Sequence, residues 1–125
     1  MKLVVLITAL ALLEYLIFGI LVGRARAQYG VSAPAVTGDP IFERYHRVHQ
    51  NMLEGLVVFL PSLWLFATYV SEPVAALLGA VFIVGRAVYA RLYILEPSRR
   101  GVGVAIHFSA TAILLLGGTL GALLS

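Results

Sequence analysis

Four apolar stretches separated by short polar punctuation dominate the chain, and each is long enough to cross a bilayer as a helix. Leu3 to Val22 is a run of 20 residues whose one charge is Glu14; at 1.5 Å per residue it covers the roughly 30 Å hydrocarbon core. This predicts a first helix over about 3–23. A signal peptide is the competing reading, because Lys2 precedes the run and Ala25-Arg26-Ala27 resembles a small-x-small cleavage site. The apolar region nevertheless exceeds the ~7–15 residues of a signal core and holds a mid-span acid. Gly23 to Phe42 carries Arg24 and Arg26, then a Ser-Ala-Pro-Ala-Val-Thr-Gly-Asp-Pro run whose turn formers read as an exposed loop. Asp39 before Pro40 supplies an N-cap with proline at the first helical position. A second helix is therefore placed over about 40–70, with Pro61 as a candidate kink. Ser71-Glu72-Pro73 opens a third helix over about 72–96, which Glu96-Pro97-Ser98-Arg99-Arg100-Gly101 stops. A fourth, over about 101–124, contains no charged residue. The expected fold is a single all-α transmembrane domain over residues 1–125, an integral membrane four-helix bundle.

Polar residues inside these spans fall into stripes. Arg44, Arg47, Asn51 and Glu54 are spaced by three, four and three residues, so they share one face of the second helix. Arg86, Tyr89, Tyr93 and Glu96 repeat that spacing on the third, while Arg91 points to a different face. An unpaired charge in hydrocarbon costs several kcal/mol, so the two stripes are expected to face one another. The plainest account is interhelical salt bridging, with Glu54 or Glu14 neutralising Arg86 and no ligand. The excess of charge is nonetheless basic: Arg44, Arg47, Arg86, Arg99 and Arg100 gather toward one membrane face, so an anionic ligand is expected. Glu14 is itself a functional candidate, or else the partner of an arginine on another helix. His46 and His49 are three apart without a convincing third ligand, with His107 far off on the fourth helix, so hydrogen bonding rather than metal binding is expected. Gly19/Gly23 and Gly117/Gly121 have GxxxG spacing, which permits close helix contact.

Composition narrows the classes. With 61% hydrophobic and 12% charged residues, the chain lies outside the soluble balance. It has no cysteine, so any thiol chemistry must come from a ligand. The net charge of +3 is carried without a basic run or RNA-binding signature, which leaves no basis for a nucleic-acid partner. The side that carries the loops joining the first and last helix pairs has Arg24, Arg26, Arg44, Arg47, Arg99 and Arg100, whereas the opposite side has only Lys2. By the positive-inside rule both termini face away from the cytoplasm. A bacterial inner membrane is one candidate location.

Taken together, Phe42-Glu43-Arg44, Arg47-Val48, Asn51, Glu54, Phe59-Leu60, Leu63-Trp64, Arg86, Tyr89 and Tyr93 resemble the MAPEG family, membrane-associated proteins in eicosanoid and glutathione metabolism. The resemblance covers essentially the whole chain. It implies a left-handed four-helix bundle assembled as a homotrimer, with glutathione as co-substrate held in a U shape between subunits near the cytoplasmic face. A lipophilic electrophile or peroxide from the membrane lipid phase is the implied second substrate. Arg47, Asn51, Glu54, Arg86, Tyr89 and Tyr93 match the glutathione-binding pattern. Arg26, and after it Arg100, are the candidates to stabilise the thiolate.

The chain departs from the pattern twice. Gly55 follows Glu54 where many members have an aromatic residue, which implies a missing contact. Arg24-Ala25-Arg26-Ala27 stands where leukotriene-synthesising members have adjacent arginines. The leading expectation is a glutathione-dependent transferase or peroxidase of the microsomal glutathione transferase type. A non-catalytic family member binding lipid or a partner protein is the alternative, and a small four-span proton-coupled transporter using Glu14 is a third.

Overall fold

The computed structural model describes residues 1–125. Four helices follow one another, α1 (Lys2–Tyr29), α2 (Pro40–Tyr69), α3 (Glu72–Leu95) and α4 (Gly101–Leu124), with one 3-10 turn at Pro97–Arg99 and no strand. All four are long and apolar enough to cross a membrane. The chain is an all-α, multi-pass membrane four-helix bundle.

α1 runs past residue 23 because Arg24-Ala25-Arg26-Ala27-Gln28 contains good helix formers and no breaker. Gly30 ends it in the left-handed region, at φ 71° and ψ 34°, where a side chain would be costly. The Val31 N–H then closes back on the Arg26 carbonyl at 3.1 Å, and Val31 packs with Val22, Ala25 and Phe42. The connection to α2 is thereby shortened to Gly30–Asp39, and Arg24 and Arg26 are helical rather than loop residues. At the start of α2 the Asp39 carboxylate accepts from the Ile41 and Phe42 N–H groups, both at 2.9 Å, satisfying two otherwise unpaired donors. The helix continues through Pro61. Ser71 caps α3 by accepting from the Val74 N–H at 3.3 Å.

α1 and α4 each pack against both α2 and α3, which form the middle of the bundle. At its centre the Phe59 and Phe82 rings stack 3.7 Å apart and 3° from parallel, with Met52, Leu63 and Leu114 fully buried around them. Ile20, Val57, Leu77 and Leu116 are instead 65–70% exposed, as side chains solvated by lipid tails can be.

Two glycines let α3 and α4 approach. A Cβ on Gly103 would overlap the Tyr89 backbone, and one on Gly85 would come within 2.7 Å of the His107 nitrogen. Gly117 and Gly121 serve the α2–α4 contact, where added Cβ atoms would meet Phe66 and Val70 at 2.7 Å. The Gly19/Gly23 pair does not act as a unit, since Gly19 faces His49 while nothing lies within 4 Å of a Cβ on Gly23. Gly103→Ala should therefore destabilise the bundle by about 1–3 kcal/mol through overpacking. Gly23→Ala should stabilise it by roughly 0.5–1 kcal/mol through helix propensity. Equilibrium unfolding of both variants in detergent checks the opposite signs.

Candidate functional site

Arg86 places a guanidinium about 13 Å below the C-terminal end of α3, at 1.5 Å per residue, and it is 3% exposed. A charge at that depth must be held by other groups. Its Nη1 donates to the Asn51 side-chain oxygen of α2 at 2.6 Å. The Phe82 and Tyr89 rings lie 5.4 and 5.8 Å from its carbon Cζ, within cation–π range. Its Nε is buried without a partner. Gly55, one turn beyond Asn51 on the same face of α2, supplies the space: even a methyl group there would overlap the Arg86 guanidinium. The glycine that implied a missing contact is thus the position that admits the buried cation.

The remaining expected residues divide into three groups. From Arg86 an aromatic ladder climbs toward the basic end, with the Tyr89 and Tyr93 rings 5.6 Å apart and the Arg100 guanidinium 5.9 Å above Tyr93. Arg100 also donates to the Pro97 carbonyl at 2.9 Å. Asn51, Arg86, Tyr89, Tyr93 and Arg100 therefore form one continuous surface. Arg47 and Glu54, on the same α2 stripe, are exposed and make no side-chain hydrogen bond or ion pair within the chain. Arg26 lies on α1, donating to the Ala35 carbonyl at 2.6 Å with its guanidinium 4.8 Å above the Phe42 ring, where it ties down the α1–α2 connection.

The salt-bridge account of the basic excess fails at its centre. Arg99 pairs with Glu96 at 3.5 Å, but no other arginine forms an ion pair. Neither Glu14 nor Glu54 pairs with Arg86, and a Glu14 carboxylate oxygen is buried without a partner. Arg44 donates to the Ile94 carbonyl at 2.8 Å and so fastens α2 to α3 at the basic end. No group of three or more His, Asp or Glu side chains is placed to hold a metal, and His49 stacks on Tyr15 at 4.4 Å.

His107 of α4 belongs to the same layer although the polar stripes did not include it. It is 7% exposed, stands edge-on to Tyr89 at 5.7 Å, and leaves Nε2 buried without a partner. With Gly55, Arg86 and Thr111 it lines a cavity of about 140 Å³. Its signal was the spacing Gly103-x-x-x-His107, which sets the histidine on the helix face whose glycine permits contact.

Comparison with known proteins identifies the family of the chain. A profile of the MAPEG family matches residues 4–120. An uncharacterized protein of Synechocystis sp. is 51% identical over 92% of this chain and 84% of its own. Microsomal glutathione S-transferase 2 of Homo sapiens is 39% identical over 83% of this chain and 71% of its own. Leukotriene C4 synthase of Cavia porcellus is 36% identical over 94% and 78% respectively. On the match over residues 4–120 and these identities, the chain, a four-helix bundle with four helices able to span a membrane, belongs to the MAPEG family.

Proposed function

We propose that this protein is a membrane-bound, glutathione-dependent transferase or peroxidase acting on lipophilic electrophiles or hydroperoxides. The observation that carries the reading is the buried Arg86 guanidinium, held by an uncharged amide and left with an unpartnered Nε instead of a carboxylate. Arg100 at the upper end of the same surface is likewise without an acid. Glutathione matches this surface chemically. Its two carboxylates suit arginines, its ammonium suits Glu54, and its peptide groups suit Asn51, Tyr89 and Tyr93. Two relatives are named as a glutathione S-transferase and a leukotriene C4 synthase, which supports a thiol co-substrate.

Arg47 and Glu54 are charged and exposed on a membrane-spanning helix, a placement that is costly against lipid. A homotrimer in which a neighbouring subunit covers them, with glutathione between subunits on the cytoplasmic side and both termini on the far side, relieves that cost. Within one chain Arg100 is the first candidate to stabilise the thiolate, because it lies over the Tyr93 ring of the site whereas Arg26 lies at the α1–α2 connection. A thiol ordinarily titrates near ~8.5, and a guanidinium beside it favours the nucleophilic thiolate. In conjugation, sulfur forms a bond to carbon as the leaving group departs with its electron pair. In peroxide reduction, two glutathiones become a disulfide as the peroxide yields an alcohol and water. The non-catalytic alternative loses one of its grounds, since the space at Gly55 is filled by Arg86.

Titration of the purified protein with glutathione, followed by thiolate absorbance and by conjugation of an aryl halide, tests the reading. Neither binding nor turnover at millimolar glutathione would sink it. Arg86→Gln should weaken glutathione binding about tenfold or more, as expected for losing a hydrogen bond to a charged group. Arg100→Ala should lower kcat by about 10²-fold and diminish the thiolate absorbance while glutathione KM moves little. An Arg26→Ala variant showing the larger loss of thiolate would reverse the order of the two arginines.

A further inference from the structure

A second feature at the basic end lies away from the glutathione surface. Phe18 and Leu21 of α1, Tyr45 of α2, and Ala87, Ala90 and Ile94 of α3 line an open groove of about 300 Å³ along the outside of the bundle, with Arg91 on its wall. A smaller pocket of about 130 Å³, bounded by Leu21, Tyr45, Arg24 and Gln28, continues it. By the 100° rule Arg91 sits about 140° around α3 from Arg86, so the groove and the glutathione surface occupy different faces.

The polarity of the groove is graded along its length. α1 and α3 both run toward the basic end, so Phe18 and Ala87 mark the deep end and Arg24, Gln28 and Arg91 the shallow one. From Ala87 to Leu95 is about 12 Å of helix, room for several methylenes of an acyl chain. Arg91 and Arg24 are exposed, make no hydrogen bond or ion pair within the chain, and no Asp or Glu lines either pocket. The slot is lined mainly by apolar side chains, which suits an acyl chain, and two unpaired guanidinium groups at its shallow end attract an anionic headgroup. Basic pockets between transmembrane helices on the cytoplasmic side are the usual seats of acidic headgroups.

We propose that the α1–α3 groove is a binding site for an anionic phospholipid, whose acyl chain lies between Phe18 and Ala87 and whose phosphate is held by Arg91 and Arg24. The site is independent of glutathione chemistry and should persist in a variant unable to bind glutathione.

The test is native mass spectrometry of the whole protein released from phosphatidylcholine membranes containing phosphatidylglycerol. The wild type should retain phosphatidylglycerol in preference to phosphatidylcholine, and Arg91→Gln and Arg24→Gln should each reduce that preference about fivefold, as expected for one arginine near an acidic surface. Arg99→Gln removes a basic charge from the same end that is already paired with Glu96, and should leave the preference intact. Ala87→Trp should displace the lipid by filling the slot. Millimolar inorganic phosphate should fail to compete, because it lacks the acyl chain. Equal retention of the two lipids, or an Arg99→Gln loss as large as the Arg91→Gln loss, overturns the proposal. Because the chain has no cysteine, Ala87→Cys provides one further decisive readout. Rapid disulfide crosslinking through this position in membranes would show that a second copy covers the groove, and would also overturn the proposal.

Discussion

The burial of one guanidinium inside a membrane span is the constraint on which the rest of this structure depends. Arg86 cannot be left bare at that depth, and α2 meets it with two residues one turn apart. Asn51 contributes an acceptor at 2.6 Å, and Gly55 contributes the absence of a side chain. Neither alone is sufficient, since the amide could not be reached if position 55 carried a Cβ. Once α2 and α3 are registered at this point, Tyr89 and Tyr93 follow on the α3 face, and the 3-10 turn at Pro97–Arg99 brings Arg100 over the last ring.

An amide is a weaker partner for a guanidinium than a carboxylate, and that weakness gives the arrangement its chemical character. A buried arginine paired with an acid is a closed unit, expensive to open. Here neither Glu14 nor Glu54 pairs with Arg86, while a Glu14 carboxylate oxygen, the Arg86 Nε and the His107 Nε2 all remain buried without partners. Buried polar atoms are ordinarily satisfied, so three such groups from α1, α3 and α4 in one small bundle form a reserve of hydrogen-bonding capacity. Most of that reserve adjoins the α2–α3 surface on which the proposed glutathione site is built.

Periodicity was a sound guide to which faces meet, because a charge that cannot face lipid leaves few orientations for its helix. The three, four, three spacing on α2 and α3 singled out Asn51 and Arg86, which the fold joins directly. Spacing could not show which members of a stripe turn inward. Asn51 does, while Arg47 and Glu54 remain exposed on the same helix. Gly55 was misleading for a related reason: a sequence records that a side chain is missing but not what fills the space. The length of α1 was underestimated because two arginines beyond an apolar run read as loop, although nothing in Gly23–Tyr29 breaks a helix until Gly30 adopts a positive φ. His107 was legible only as a contact residue, through the glycine one turn before it.

The distribution of arginines then follows from α3 having two polar directions rather than one. Arg86 points between helices, where desolvation makes a partner obligatory and Asn51 and Gly55 provide for it. Arg91, about 140° away by helical geometry, points outward beside an apolar groove, where no residue of this chain neutralises it. A cation of the first kind is fixed by the fold and can select a ligand by geometry. A cation of the second kind sits at the edge of the bilayer, where the anions available to it are those of the membrane itself. The positive charge at this end of the bundle is thus divided between an interior surface that the helices build in register and an exterior one that the proposed anionic lipid would complete.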